Sequence, residues 1–219
     1  MRRLVGFLLL LPLFVVGIVA ALGLLYASVP PVSTLMLARW ATGRSAERTY
    51  VPLEAISPHL PLAVIASEDA RFCSHGGVDW NALREVVDDG DEGGPNRGAS
   101  TLTMQIAKNL FLWSSRSYVR KGLELPVALY LDLIWSKRRT IEVYLNVAEW
   151  GDGIFGAEAA AREHFGKSAR ELTRREAALL ASALPNPIAR DPGRPGPRQR
   201  AIVGVILGRM GETDVRCLS

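Results

Sequence analysis

From Leu4 to Ala38 the chain carries no charged side chain, and its most apolar part, Leu4 to Tyr26, is 23 residues long. As a helix that part would measure about 35 Å, enough to cross the hydrocarbon core of a bilayer. A cleaved signal peptide has a shorter apolar stretch, roughly 7 to 15 residues, followed by a small-x-small site; here Leu25 precedes Ala27. The segment is therefore expected to stay as a single transmembrane anchor. Arg2 and Arg3 stand in front of it and should remain cytoplasmic, which places everything after the helix outside the inner membrane. Pro30 and Pro31 interrupt the helix, and the less apolar stretch beyond them, with Arg39 and Trp40, suits a membrane interface. Residues 1–38 are read as anchor and juxtamembrane segment, and residues 39–219 as one domain.

That domain has room for one full-sized core and no second catalytic module. Lys and Arg total 26 against 22 Asp and Glu, and two of the arginines flank the anchor, so the rest is close to neutral and no general nucleic-acid field is implied. Cys73 and Cys217 have neither metal-ligand nor CxxC spacing, which argues against zinc and against a disulfide framework; a single bridge between the two stays open. His59, His75 and His164 form no metal-ligand pattern.

Past about residue 58 the apolar spacing is helical and no alternating run is flanked by hairpin turns, so the domain is expected to be mainly α. Ser168 with Glu171, and Thr173 with Glu176, have capping-box spacing, and the second opens the apolar run Ala177 to Leu184, which Pro185 stops. Phe155 to Phe165 reads as a helix closed by Gly166. The Gly-rich, acidic stretch Asp88 to Gly98 has no periodic apolar face and reads as a loop, either plain surface or a flap over a site.

In the helix beginning near Pro61, Glu68 shares a stripe with Ile65 and Phe72. A carboxylate there is partly desolvated, which raises its pKa and suits it to general-base work; the plain alternative is an acid satisfied by Arg71 or by a backbone group. Ser100 and Thr101 look like the start of the next helix, with Leu102, Ile106 and Leu110 on its buried stripe and Thr101, Gln105 and Lys108 on a polar face. Lys108, Arg116, Arg120 and Lys121 give four cations within fourteen residues, separated only by neutral side chains. Such a cluster beside hydroxyl and amide donors suits a diphosphate, although a solvated basic face, or one turned to anionic lipid, has the same composition. Glu124, four residues after Arg120, has an ordinary helical ion pair as its alternative. In "NLFLW", Asn109 to Trp113, there are more apolar groups than one core-facing stripe uses, which leaves both core and bilayer as destinations.

These segments resemble the glycosyltransferase 51 family of peptidoglycan polymerases, specifically its short, monofunctional members. The resemblance runs from about Val64 to Pro187. It is carried by "EDARFCSHGGVD" from Glu68, "GASTLTMQIAKNLFL" from Gly98, "RSYVRKGLE" from Arg116, "KRRTIEVYLN" from Lys137 and "EWGDGIFGAEAAAREHFGK" from Glu149. It implies a lysozyme-like α domain with a small membrane-hugging lobe that polymerises lipid II into β-1,4-linked glycan strands by inverting transfer, releasing undecaprenyl diphosphate. By the same resemblance Glu68 is the catalytic base. Glu124 is a second essential glutamate, which orients the cations or helps to bind a divalent ion such as Mg²⁺ or Mn²⁺ at the diphosphate. Gln105, Lys108, Arg116 and Lys121 hold the diphosphate, Ser100 and Thr101 contact substrate, and Glu142 and Asn146 are structural. The implied partners are lipid II, the growing lipid-linked glycan, the membrane and other wall-synthesis proteins.

This sequence departs from the family pattern at Ala99, at Met104 in place of the first of two glutamines, at Thr140, and at Cys73, which as a free thiol would make the site sensitive to thiol reagents. Two competing readings remain: a glycan-cleaving lysozyme-like muramidase or lytic transglycosylase using Glu68 as an acid, and a non-catalytic wall-synthesis scaffold. A bifunctional polymerase and crosslinker is excluded within this length, since no Ser-x-x-Lys occurs.

Overall fold

The computed structural model of the chain describes residues 2–88, 99–115 and 117–219, excepting the side chains of residues 2–10 and 87. The expected loop beyond Asp88, and Arg116, lie outside the described residues. The fold is mainly helical. In chain order the helices are α1 Arg2–Tyr26, α2 Thr34–Ala41, α3 His59–Glu68, α4 Trp80–Asp88, α5 Leu102–Phe111, α6 Tyr118–Ile134, α7 Lys137–Val147, α8 Ala157–Phe165, α9 Arg174–Ala183 and α10 Pro197–Arg209.

Local chemistry explains where several of them begin. Ser33, Thr101, Ser117, Ser136 and Thr173 cap α2, α5, α6, α7 and α9, each accepting from a backbone N–H in the first turn, which satisfies a donor that has no partner within the helix. Both expected capping boxes are present, at Ser168 with Glu171 and at Thr173 with Glu176. Gly166 ends α8 with φ +67°, the left-handed conformation that glycine adopts without strain.

The helical expectation across Phe155 to Phe165 is corrected in its first residues. Ile154 and Phe155 form strand β3, and α8 starts at Ala157 after Gly156. β3 lies between β1, Glu47–Arg48, which is parallel to it, and β2, Glu149–Gly151, which is antiparallel. Strands of two or three residues are too short to show an alternating pattern, so they leave no periodic trace in the sequence. The core joins α3, α5, α7, α8 and α9 through Leu60, Ile65, Ile106, Tyr144, Ala160 and Leu180, all essentially inaccessible. Thr140 is buried with them, its hydroxyl donating to the Ser136 carbonyl at 3.1 Å.

Among the described residues no helix is long and apolar enough to cross a membrane. The described side chains of α1 run from Leu11 to Tyr26, a stretch shorter than the ~20 residues a bilayer core requires. The expected span Leu4 to Tyr26 thus falls in part on side chains outside the description.

Cys73 and Cys217 are joined in a disulfide across 144 residues of sequence. The bridge left open by the sequence is formed, and the thiol sensitivity expected of a free Cys73 is withdrawn. It ties the turn Phe72–Ser74, just beyond α3, to the end of the chain.

Candidate active site

α3 ends at Glu68 because Asp69 leaves the helix, with φ −157° and its N–H still donating to the Ile65 carbonyl. The stripe expected from Ile65 through Glu68 to Phe72 is therefore broken. Ile65 and Glu68 share a helix, whereas Phe72 reaches the core from the following turn. Glu68 is left at a helix end rather than mid-helix.

Asp69 fixes what meets that end. One oxygen of its buried carboxylate accepts the Leu102 N–H at 2.9 Å, and the other lies 2.8 Å from His75 Nε2. The Leu102 amide is one of the unpaired donors at the start of α5, so the carboxylate both caps α5 and attaches it to the end of α3. Thr101 adds a second attachment, its hydroxyl donating to the Gly77 carbonyl at 2.6 Å while accepting from Met104 N. Gly77 has φ +76°, and a Cβ there would lie 2.7 Å from the Ala128 carbonyl oxygen, so only glycine lets this turn rest on α6.

With α5 fixed in this way, its first turn carries Gln105 to Glu68. Gln105 Nε2 donates to Glu68 Oε2 at 3.1 Å, and Gln105 Oε1 accepts from the Tyr144 hydroxyl at 2.9 Å. Tyr144 is 1% exposed, and its hydroxyl holds the amide in the orientation that presents N–H to the carboxylate. Burial pushes the Glu68 carboxyl above its ordinary value of 4.5, against the opposing influence of the Gln105 hydrogen bond and the charges of Arg190 and Lys108. Arg71 does not satisfy Glu68; it pairs with Asp79 at 2.7 Å and Glu85 at 3.7 Å.

A second group of charges lies on α6. Glu124, 2% exposed, accepts from Arg120 Nη1 through Oε1 and from Lys121 Nζ at 2.9 Å through Oε2. The expected helical pair with Arg120 is present, with Lys121 added. Lys121 also donates to the Ser100 hydroxyl, which joins the start of α5 to the cluster. Lys108, one turn further along α5 than Gln105, feels the charge of both groups. Burial holds its ammonium below the ordinary lysine range, and Glu124 and, more weakly, Glu68 both act to raise it again. A half-buried ammonium of this kind gains most from an incoming anion, which supplies the countercharge that burial has denied it.

The residues expected from the sequence thus divide into two sets. Glu68 and Gln105 form one, with Gln105 serving the carboxylate rather than the α6 cations; Ser100, Lys121 and Glu124 form the other, and Lys108 feels the charge of both glutamates. Thr101 holds the loop and α5 together through a buried hydroxyl. Met104 is 1% exposed within the core, so this chain makes no substrate contact from that position. A divalent cation does not fit at Glu124, because both of its oxygens are already bound by cationic groups, and no step is assigned to a metal here. Glu142 and Asn146 are structural: Glu142 accepts from Tyr50 and from Leu53 N, and Asn146 exchanges two hydrogen bonds with the backbone of Val51.

Sequence reasoning passed over three residues. Tyr144 sits in an apolar helical pattern and reads as core. Asp69 follows Glu68 and carries no signal of its own. Arg190 lies in a turn-rich stretch beyond α9, where its guanidinium donates to the Ser182 carbonyl at 2.8 Å.

A family model described as Transglycosylase matches residues 35–211. A protein named biosynthetic peptidoglycan transglycosylase from Rhodopseudomonas palustris (strain HaA2) is 50% identical over 218 residues, 99% of this chain and 96% of that protein. One of the same name from Brucella suis biovar 1 is 52% identical over 200 residues, 90% of this chain and 89% of that one. Another, from Rhizobium meliloti (strain 1021), is 54% identical over 190 residues, 86% and 80% of the two chains.

Proposed function

The chain belongs to the transglycosylase family and is a peptidoglycan glycosyltransferase of cell wall synthesis; from that premise we propose that it polymerises lipid II with Glu68 as general base and the α5–α6 cations as the diphosphate clamp. The observation that carries this reading is the pairing of a carboxyl bonded to the neutral Gln105 amide and raised by burial with a separate cluster of Arg120 and Lys121 around Glu124.

The reaction has two requirements. A sugar 4-hydroxyl is a poor nucleophile, and removing its proton in the transition state contributes roughly 10² to 10⁴ in rate. Glu68 takes that proton as the hydroxyl oxygen attacks the anomeric carbon of the growing chain. The bond from that carbon to the diphosphate oxygen breaks on the opposite face, which turns the α-linked diphosphate into a β-1,4 linkage. Undecaprenyl diphosphate leaves as an anion, and Lys108, Arg120 and Lys121 neutralise the charge that develops on it. Arg116, outside the described residues, belongs to the same stretch of sequence. Diphosphate needs no general acid to leave, which separates this arrangement from the two-carboxyl scheme of a glycosidase. A raised carboxyl would serve a muramidase equally well; the cations are what a glycan-cleaving enzyme has no use for.

In this reading the helical domain is lysozyme-like with a small membrane-proximal lobe, and residues 1–38 form an anchor with a cytoplasmic N-terminus. Three features support it. Arg2 and Arg3 precede the apolar run. Large apolar side chains are exposed on α2, after α5 and on α6, among them Leu37, Trp40, Trp113 and Leu133. The Cys73–Cys217 bridge belongs to an oxidising compartment such as the periplasm.

The test is incubation of the purified protein with lipid II and, separately, with preformed glycan. Polymer from lipid II is expected; cleavage of glycan without polymerisation would establish the hydrolytic reading, and no reaction the scaffold. For topology, a reporter fused after Ser219 should be active only when it is of the periplasmic kind.

A further inference from the structure

An anchor that serves only as a tether needs no contact with the domain it holds. The end of α1 is instead fastened to α6 and α7 by polar groups. The Tyr130 hydroxyl donates to the Ala20 carbonyl at 2.6 Å, and the buried Trp135 indole donates to the Gly23 carbonyl at 2.9 Å. Arg139 donates to the Tyr26 carbonyl from two nitrogens, at 3.0 and 2.8 Å, and to the Val29 carbonyl at 2.8 Å. The Tyr26 carbonyl is among those that a helix leaves unpaired at its C-terminus, where a cation is also favoured. Arg139 is itself held by Glu142 and by the Tyr50 hydroxyl.

Gly23 sets how close the helices come. A Cβ at this position would lie 2.6 Å from Tyr130 Cε1 and 3.4 Å from Ile134 Cδ1, so any side chain would have to displace the Tyr130 ring from its place or push α1 away. In apolar surroundings small residues at a crossing permit this approach, and here the close contact is what brings the Tyr130 and Trp135 donors to the carbonyls. Gly17, on the same helix, has nothing within 4 Å of a built Cβ. α6 also carries Arg120, Lys121 and Glu124 nearer its start.

We infer that α1 is a strut keyed into α6 at Gly23, with Tyr130, Trp135 and Arg139 as positioning residues that set where the cationic cluster stands relative to the bilayer holding the lipid-linked diphosphate. This rests on the reading that α1 enters the membrane and that the substrate is lipid II. A soluble substrate would reach the cluster whatever the angle of the strut, whereas one fixed in the membrane presents its diphosphate at a single height.

The full-length chain is reconstituted in lipid bilayers with lipid II, and is assayed in parallel in detergent with a short-chain, freely soluble analogue. Gly23→Leu should lower polymerisation in bilayers by about tenfold or more, and Tyr130→Phe less. Gly17→Leu adds the same apolar bulk where there is no contact and should remain within about twofold of the parent. In detergent all three should match the parent within about twofold. Equal bilayer activity for Gly23→Leu and Gly17→Leu would reduce α1 to a tether. An equal loss by Gly23→Leu in detergent would show a damaged domain rather than a mispositioned one, and would also overturn the strut. If the unaltered protein polymerises neither substrate, what fails is the glycosyltransferase reading itself.

Discussion

Glu68 and Glu124 are both withdrawn from water, yet their surroundings differ in kind. Glu68 has a neutral amide as its hydrogen-bond partner, and the charges that oppose its raised pKa act without an ion pair among the described residues. Glu124 is bound directly by a guanidinium and an ammonium. Desolvation without a bound countercharge makes a carboxylate seek a proton, which is what a base does. Desolvation with two bound cations makes it an organiser of those cations. The difference lies in what surrounds each glutamate, and the proposed division between proton transfer and charge neutralisation rests on it.

The largest effect that tests this division is expected from Glu68→Gln, which keeps shape and hydrogen bonding but cannot take a proton. Polymerisation should fall by about 10² to 10⁴, with binding of a diphosphate-containing analogue largely retained. In the parent, the acid limb of the pH–rate profile should lie above 4.5, the ordinary glutamate value, because burial raises this carboxyl. The same shift has a sign for stability. A carboxyl whose folded pKa exceeds its unfolded one loses its proton first in the unfolded chain, so stability falls as pH rises from 4.5 through the folded value. Glu68→Gln removes that loss, and its Tm at pH 7 should equal or exceed the parent's. If activity survived within a few-fold, Glu68 would not be the base; if Tm collapsed, Glu68 would be structural and Glu124 the leading candidate.

Next in size is Lys108→Ala. A hydrogen bond from a charged group contributes about 1.5 to 3 kcal/mol, so affinity for the diphosphate analogue should drop by about 10- to 100-fold, while Arg174→Ala, at an exposed residue bonded to the Leu207 carbonyl, should change it little. Equal small effects at both positions would turn the cluster into an ordinary solvated face. Glu124→Gln should act in another way, on stability as well as turnover. Leaving Arg120 and Lys121 without their carboxylate should destabilise the domain on the order of 3 kcal/mol and slow polymerisation about tenfold, seen by calorimetry alongside the assay. A variant as stable as the parent would mean that Glu124 is not the organiser. Smallest is Tyr144→Phe, which frees the Gln105 amide to turn. A neutral hydrogen bond is worth about 0.5 to 1.5 kcal/mol, so a few-fold loss with a shifted acid limb is expected; an unshifted limb would show that the Tyr144–Gln105 relay does not reach Glu68.

Features legible in the sequence were those that act over one helical turn. Thr101, Thr173 and Glu176 cap helices because a hydroxyl or carboxylate meets an N–H three residues away. Leu102, Ile106 and Leu110 are buried as their spacing predicts. Glu124 meets Arg120 because residues four apart face each other on a helix. The same rule misplaced Phe72, since it presumes that a helix continues, and α3 stops at Glu68.

By itself, then, the sequence determined the helical class, the starts of α5 and α9, the Arg120–Glu124 pair and, through its five motifs, the family. Tertiary structure alone decided that Cys73 meets Cys217, that Gln105 turns to Glu68 under the hand of Tyr144, that Asp69 joins α3 to α5, and that the charge of Arg190 bears on the Glu68 carboxyl. The physical reason is range. Caps and periodic stripes are set by bonds between near neighbours, which one stretch of sequence contains. A contact such as Tyr144 to Gln105 joins residues 39 apart, and it exists only once the core has packed the helices that carry them.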